Sequence, residues 1–391
     1  MSTRAETAPS ANSASDFGTF LFPALLTLFV LVSRILCRGP LYFADGPGHI
    51  ASIQSKTYII QPPGYWLFDR TAGLFSDPAL AITVMNILFS VAGVVAFYYT
   101  ACFFTSRINS FLAALAYATI FYIWFSGEIH STYASQILFP VGTYYLLLSY
   151  ERDRSKWMLW LAALIFAVGA GLRPTDGMFL IPMVLYFAVF RMPRKAAFLF
   201  LSLITVLCLG WLIPTWVAFE RYDDGVKAFA TYVTSVSKMQ SVLTGVRMYT
   251  LANPVRYVLP LVIGFWPVLA LVFRNALRNR SDWRVKSLLV WIVPGSLFFI
   301  LSLMVCAPYL DFLTAAILLL AVSAPSAWAG RLLIVTAVWN SFVFLALGPI
   351  PSQRLSVNVV NGFVLRCTRG GIEQRYNTIL SDMQHLDTPG H

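Results

Sequence analysis

Long, unbroken apolar runs dominate this sequence. Eleven stand out, near residues 17–37, 79–104, 108–125, 131–150, 157–172, 177–190, 197–218, 255–273, 287–306, 308–327 and 331–348. Each approaches the roughly 20 residues that a helix needs to cross a bilayer. Inside lipid every backbone N–H and C=O must be paired within the protein, which leaves only helix bundles and closed barrels. Barrel strands alternate in polarity, and these runs do not. The sequence therefore predicts an all-α polytopic membrane protein of about 11 transmembrane helices. Composition agrees: 58% of the 391 residues are hydrophobic, only 12% are charged, and mean hydropathy is +0.70. A soluble chain carries roughly twice that charge. A soluble enzyme, a disordered chain, a coiled coil and a secreted disulfide scaffold are all excluded. The first run is too long for a signal-peptide core and no small-residue cleavage site precedes Arg38, so it reads as a retained anchor.

The formal charge of +11 reads as cytoplasmic-loop charge, with no nucleic-acid partner. With eleven spans, one set of short loops collects Arg107, the Arg152–Lys156 cluster, Arg191 to Lys195, Arg274 to Lys286 and Arg331. Together with Arg4 that side holds fourteen bases against five acids, while the other holds fourteen against twelve. The positive-inside rule then places the N-terminus inside and the C-terminus outside. Residues 1–16, rich in Ser, Ala and Thr, read as a disordered cytoplasmic tail, and 17–348 as the membrane domain. The outer face carries the long polar segments: loops 38–78 and 219–254 and an extracytoplasmic tail, 349–391. Short connections on one face and long ones on the other point function outward. The five cysteines offer no disulfide framework, and no internal repeat is visible.

The first outer loop is the most informative segment. Asp45-Gly46-Pro47-Gly48 reads as a turn, because Gly and Pro supply the angles a turn needs. Ile50 to Tyr58 then has apolar residues at mixed helical spacing. Pro62-Pro63 breaks any helix, and a second, aromatic-rich helix resumes from Tyr65-Trp66 to Leu74-Phe75. Two interfacial helices rich in Tyr and Trp suit a loop pressed onto a bilayer.

These pieces carry a resemblance. Asp45 shortly after span 1, His49, then Gln61-Pro62-Pro63-Gly64-Tyr65, then Ser76-Asp77-Pro78 entering span 2 resemble the GT-C-fold integral-membrane glycosyltransferases. The pattern is closest to bacterial relatives of protein O-mannosyltransferases and lipid A aminoarabinose transferases. Gly127-Glu128-Ile129-His130-Ser131 with Tyr133 in the next outer loop fits, as does Gly171-Leu172-Arg173-Pro174 with Asp176 after span 5. The likeness spans about residues 20–220. Gln61 stands where the family usually has His or Lys, and Asp45 stands where the mannosyltransferases carry an Asp-Glu pair.

The resemblance implies transfer of a sugar, hexose or pentose, from a polyprenyl-phosphate donor to a lipid, glycan or protein acceptor on the outer face of the membrane. Such chemistry needs a carboxylate to take the acceptor's proton and cations to hold the leaving phosphate. Asp45 is the candidate base, against the plainer reading of a turn acid. Glu128 is a second catalytic candidate, supporting the acceptor or Asp45, against a solvated helix cap. Arg173 can bind phosphate through a bidentate fork, against simple pairing with Asp176. His49, Lys56, Tyr65, Arg70 and His130 complete the candidate substrate-binding set, although bases at a headgroup surface are common. Arg221, Lys227, Arg247 and Arg256 in the second large loop could help hold an anionic lipid.

No Walker or Rossmann glycine pattern is present, four scattered histidines make no zinc signature, and no cofactor is expected. Nothing in the sequence supports a divalent ion on Asp45 and Glu128. The alternative reading is a lipid or solute transporter or flippase. Transporters carry ionisable groups near the middle of the membrane, whereas here the polar groups gather at the outer mouths of spans 1, 4 and 5. The expected location is a bacterial inner (plasma) membrane, multi-pass, with the active site facing the periplasm or exterior.

Overall fold

The computed structural model describes residues 14–37, 45–58, 64–222, 247–301, 307–348 and 364–374, and singly 227, 230, 231, 234 and 360. Among these residues all regular structure is helical, and each of the eleven apolar runs is wholly or largely helix. Helix α1 is Ala14–Cys37, α2 Asp45–Gln54, α3 Trp66–Ala72, α4 Pro78–Ala101, α5 Arg107–Thr119, α6 Phe121–Ser126 and α7 Ser135–Asp153. Then come α8 Lys156–Leu172, α9 Pro174–Phe190, α10 Arg194–Tyr222, α11 Arg247–Phe265, α12 Leu269–Arg278, α13 Trp283–Leu301, α14 Asp311–Val322 and α15 Ala329–Ala346.

Helices α1 (from Phe20), α4, α10, α13 and α15 are each long and apolar enough to cross a bilayer alone. Helices α8 and α9 and the segment Ala307–Val322 are apolar but shorter, and α11 with α12 forms one apolar stretch bent by 101° at its break. The chain is a multi-pass membrane protein. Helix α14 is buried at every position, as expected for a helix that is apolar all round. It packs against α7, α12 and α13, while α7 lies between α4 and α8. Helix α10 instead turns Phe198, Val206, Ile213, Trp216 and Val217 outward, which lipid tails tolerate as well as a protein core does.

The bundle has two chemically different ends. At one, the basic loops meet. Arg284 donates to Phe103 O at 2.9 Å, Arg154 donates to Arg191 O at 2.8 Å, and Arg191 pairs with Glu151. The other end brings together the last turn of α1, residues 127–131, the α8–α9 junction and the start of α14.

Two expectations shift. The run 108–125 is not one helix but two, α5 and α6, broken at Ile120. A break orphans the carbonyls of one helix and the N–H groups of the next. Buried Arg34 of α1 takes the Ala118 carbonyl at 2.9 Å, and Asn340 of α15 takes the Phe121 N–H at 3.2 Å. Likewise, Asp45 to Gly48 is not a free turn but the first turn of α2. An acid there suits the helix dipole, and Pro47 costs little where the N–H groups have no intrahelical partner. Helix α2 stops at Gln54, and Lys56 and Tyr58 adopt left-handed φ values of 58° and 57°. Rather than only lying on a membrane surface, α2 and α3 pack on each other and on α4, with α3 also against α8 and α10. The Gln61-Pro62-Pro63 motif, residues 1–13, most of loop 219–254 and most of the tail 349–391 lie outside the described residues.

Candidate active site

The site is built where α2 meets the α8–α9 junction. Asp45 opens α2 and His49 follows one turn later on the same face. Gly46 presses against residue 130: a Cβ built there would lie 2.9 Å from the His130 carbonyl oxygen. Only glycine lets the start of α2 seat this closely, which fixes the height of Asp45 over the loop. Burial pushes the Asp45 carboxyl above its usual range, while the charges of His49 and Arg173 pull it back down.

His49 is buried, and its Nδ1 lies 2.5 Å from Oδ1 of Asp69. Ser52 donates to the other oxygen of Asp69. The imidazole is flanked by Tyr65 and Phe68, with ring centroids at 5.5 and 5.1 Å. The sequence reading missed Asp69. Its signal was there: Tyr65, Phe68, Asp69 and Ala72 fall at helical spacing and form one buried stripe, and an acid on the apolar stripe of a short helix asks for a partner.

Arg173 caps α8 just before Pro174 opens α9, and only 2% of it is exposed. Its Nη1 donates to the Thr132 hydroxyl at 2.8 Å, and its Nε lies 3.2 Å from Asp176. The guanidinium lies 4.2 Å from the Tyr133 ring and 5.3 Å from that of Tyr309, a geometry Lys cannot copy. The pairing with Asp176 is thus present, yet Arg173 also acts on Asp45. Tyr65 lies within electrostatic reach of Arg173 and beside His49, so it lines the same corner.

Glu128 belongs to a second group. Trp124 donates its indole N–H to Glu128 Oε1 at 3.0 Å. Burial pushes the Glu128 carboxyl up to about 8, against the pull of Arg34, the Trp124 N–H and Arg369. Arg34 is fully buried and stacks over Trp124 at 5.1 Å. Gly127 passes between neighbours: a Cβ there would lie 2.6 Å from Ser90 Oγ and 2.7 Å from Arg34 Nε. Asp311, buried at the head of α14, lies within electrostatic reach of Arg173, Asp176 and Arg34 and so bridges the two groups. Arg34 and Asp311 were also missed, although each is an ionisable residue inside an apolar run, which marks a functional position by default.

His130 is mostly buried, its Nε2 bonded to the Thr83 hydroxyl at 2.8 Å, and burial lowers its basicity. Lys56 is exposed beyond the end of α2, and Arg70 is exposed and bonded to the Tyr58 hydroxyl at 2.9 Å. Both stand apart from the buried cluster. Among the described residues, no three His, Cys, Asp or Glu side chains converge as metal ligands. The site therefore offers a half-buried carboxylate beside a histidine and an arginine, at the end of the bundle opposite the basic loops.

Comparison with known proteins bears on the fold that carries these residues. Residues 61–217 match the family model described as dolichyl-phosphate-mannose-protein mannosyltransferase. That span includes Tyr65, Asp69, Glu128, Arg173 and Asp176, but not Asp45 or His49. The fold matches the crystal structure of ArnT from Cupriavidus metallidurans bound to undecaprenyl phosphate, with a TM-score of 0.57 and 16% sequence identity. The match covers 82% of this chain and 63% of that one, so the chain spans less than two thirds of the length of that protein. No curated protein sequence matches. The resemblance read from the sequence is borne out: the chain has the GT-C fold.

Proposed function

We propose that this protein is an integral-membrane glycosyltransferase that moves a sugar from a polyprenyl-phosphate donor to a hydroxyl of a lipid, glycan or protein acceptor. Three supports combine: the mannosyltransferase family match, the fold shared with a structure holding undecaprenyl phosphate, and the placement of Asp45. The single observation that carries the reading is Asp45, a carboxylate outside the apolar spans, flanked by His49 and Arg173.

In this mechanism the acceptor oxygen attacks the anomeric carbon and its proton passes to the Asp45 carboxylate. The bond from that carbon to the phosphate oxygen breaks, and the electron pair leaves on the polyprenyl phosphate. Inversion follows from attack opposite the leaving group. Burial makes Asp45 a better proton acceptor than a solvated Asp, while the charges of His49 and Arg173 favour its ionised form. Arg173 offers a phosphate the charge and planar donors it needs. Tyr65 lines the sugar or phosphate pocket, and Glu128 with His130 supports the acceptor side.

The proposed topology puts the basic end of the bundle in the cytoplasm and Asp45 on the far side, with the N-terminus inside, eleven spans and the C-terminus outside. The clustering of basic loops at one end supports that orientation. A bacterial inner membrane is the proposed location. Mass spectrometry of cell-envelope lipids, glycans and proteins from cells with and without the protein tests the function. A single sugar mass missing from one acceptor class, with its polyprenyl-phosphate donor accumulating, is expected. The same missing sugar with the donor confined to the inner leaflet would instead favour a flippase, and an unchanged envelope would overturn the reading.

A further inference from the structure

Asp69 is a carboxylate with no exposed surface, on a seven-residue helix, with no arginine or lysine bonded to it among the described residues. The adjacent Arg70 turns away to the Tyr58 hydroxyl. A buried carboxylate is tolerated only when both oxygens are bonded and its charge is compensated. Both oxygens are engaged here, by His49 Nδ1 at 2.5 Å and by the Ser52 hydroxyl. His49 and Ser52 lie three residues apart on α2, so one carboxylate on α3 grips one face of α2. The grip engages Nδ1 and leaves Nε2 as the second ring nitrogen, on a residue one helical turn from Asp45.

We propose that Asp69 is a positioning residue for transfer: it holds the His49 ring through Nδ1, so that the ring's second N–H supports the ionised Asp45 carboxylate. This rests on the reading of Asp45 as the base. The groups facing the pair are Asp69 and Tyr65 from α3 and its entry, Arg173 from the α8–α9 junction, and His130 behind Gly46; Asp77 caps α4 nearby. Of these, His49 and Arg173 are the charges that lower the proton affinity of Asp45. Asp69 is bonded to the imidazole, and its effect on Asp45 runs through that ring. Replacing it with Asn removes the negative charge that favours a doubly protonated ring; an amide N–H donated to Nδ1 still leaves an Nε2–H, but on a neutral ring that brings no positive charge to Asp45.

The experiment is the pH profile of sugar transfer by membranes containing full-length wild type, Asp69→Asn, His49→Gln, their double variant and Asp45→Asn, at matched protein level. A base works as its anion, so activity falls as pH drops through the Asp45 value. With weaker support from His49 that value rises, and the acidic limb should move up by about one pH unit in Asp69→Asn, near a tenfold loss below the limb. Above the limb, activity should return to within a few-fold of wild type. His49→Gln should shift the limb as far, and the double variant no further, because the two act as one unit. A limb that stays in place, or a loss uniform across pH, overturns the proposal. If Asp69→Asn does not reach the membrane, Ser52→Ala carries the test, because it strips one bond from Asp69 and keeps the charge. It should move the same limb by less, and an unmoved limb there is equally fatal. Asp45→Asn separates the two ideas: if it transfers normally, the base assignment itself is wrong, whereas an inactive Asp45→Asn beside an unshifted Asp69→Asn removes only the positioning role.

Discussion

Arg173→Ala leaves Asp176 in a buried, nearly dry place without its counter-ion. The side chains of this pair are only 3% and 4% exposed, and Nε lies 3.2 Å from the carboxylate. The buried Asp311 is close enough to repel the orphaned charge. Removing one partner of a buried pair typically costs about 3–5 kcal/mol, and the Thr132 hydrogen bond and the contacts over Tyr133 and Tyr309 go as well. The single variant should therefore be poorly expressed, and once purified in detergent it should unfold at a clearly lower temperature. Replacing both partners, Arg173→Met with Asp176→Leu, removes the uncompensated charge and should restore much of the lost stability. It should not restore transfer, because the proposed phosphate ligand is gone. Arg173→Lys should fold near normally yet use donor poorly, since the planar fork is lost. Thermal unfolding and sugar transfer measured on the same samples decide the matter. Normal transfer by the double variant would show that Arg173 only holds the fold, and wild-type stability of Arg173→Ala would refute the buried-pair reasoning.

Three further outcomes are expected. Glu128, raised by burial from 4.5 to about 8, prefers its proton in the folded state, so ionisation destabilises the fold as pH rises from about 4.5 through 8. Glu128→Gln should therefore melt higher than wild type at pH 9, and the gain should vanish by pH 4.5; no gain at pH 9 would count against a buried acid. Gly127→Ala should destabilise by about 1–3 kcal/mol, an overpacking cost, because its methyl meets Ser90 and Arg34 below 3 Å; a neutral effect on the melting temperature would contradict that packing. For topology, Cys introduced at Ser155 or Asn279 should be protected from an impermeant thiol reagent in intact cells, whereas Cys at Ser55, Gly225 or Thr378 should react. Labelling of Thr378 only after permeabilisation would break the odd number of spans.

The apolar runs made the helices legible, because in lipid a long apolar run has one structural answer. The break at Ile120 was not legible. Neither Gly nor Pro marks it, and the groups that stabilise it, Arg34 and Asn340, come from distant helices. The start of α2 was misread because Asp-Gly-Pro-Gly is good turn sequence, and what makes it helical is the seat of Gly46 on residue 130. Within the site, Asp45, His49, Glu128 and Arg173 were readable as polar residues at the ends of apolar runs. Lys56 and Arg70 looked equivalent to them, and only packing shows that they face outward. No motif marks Asp69; its only signal is its place on the buried stripe of a short helix. Arg34 and Asp311 lie near the ends of apolar runs, and only the packing brings them to Glu128 and Arg173.

The role of Asp45 is tested most directly by Asp45→Asn, which keeps nearly the same shape but cannot take a proton at neutral pH. With purified protein, a polyprenyl-phosphate sugar identified from the envelope analysis and its acceptor, the transfer rate should fall about 10²- to 10⁴-fold, or about 3–5 kcal/mol of barrier. Donor lipid should still bind and the melting temperature should change little. A rate within a few-fold of wild type, at equal protein and equal donor binding, would contradict Asp45 as the base and leave Glu128 as the carboxylate to examine.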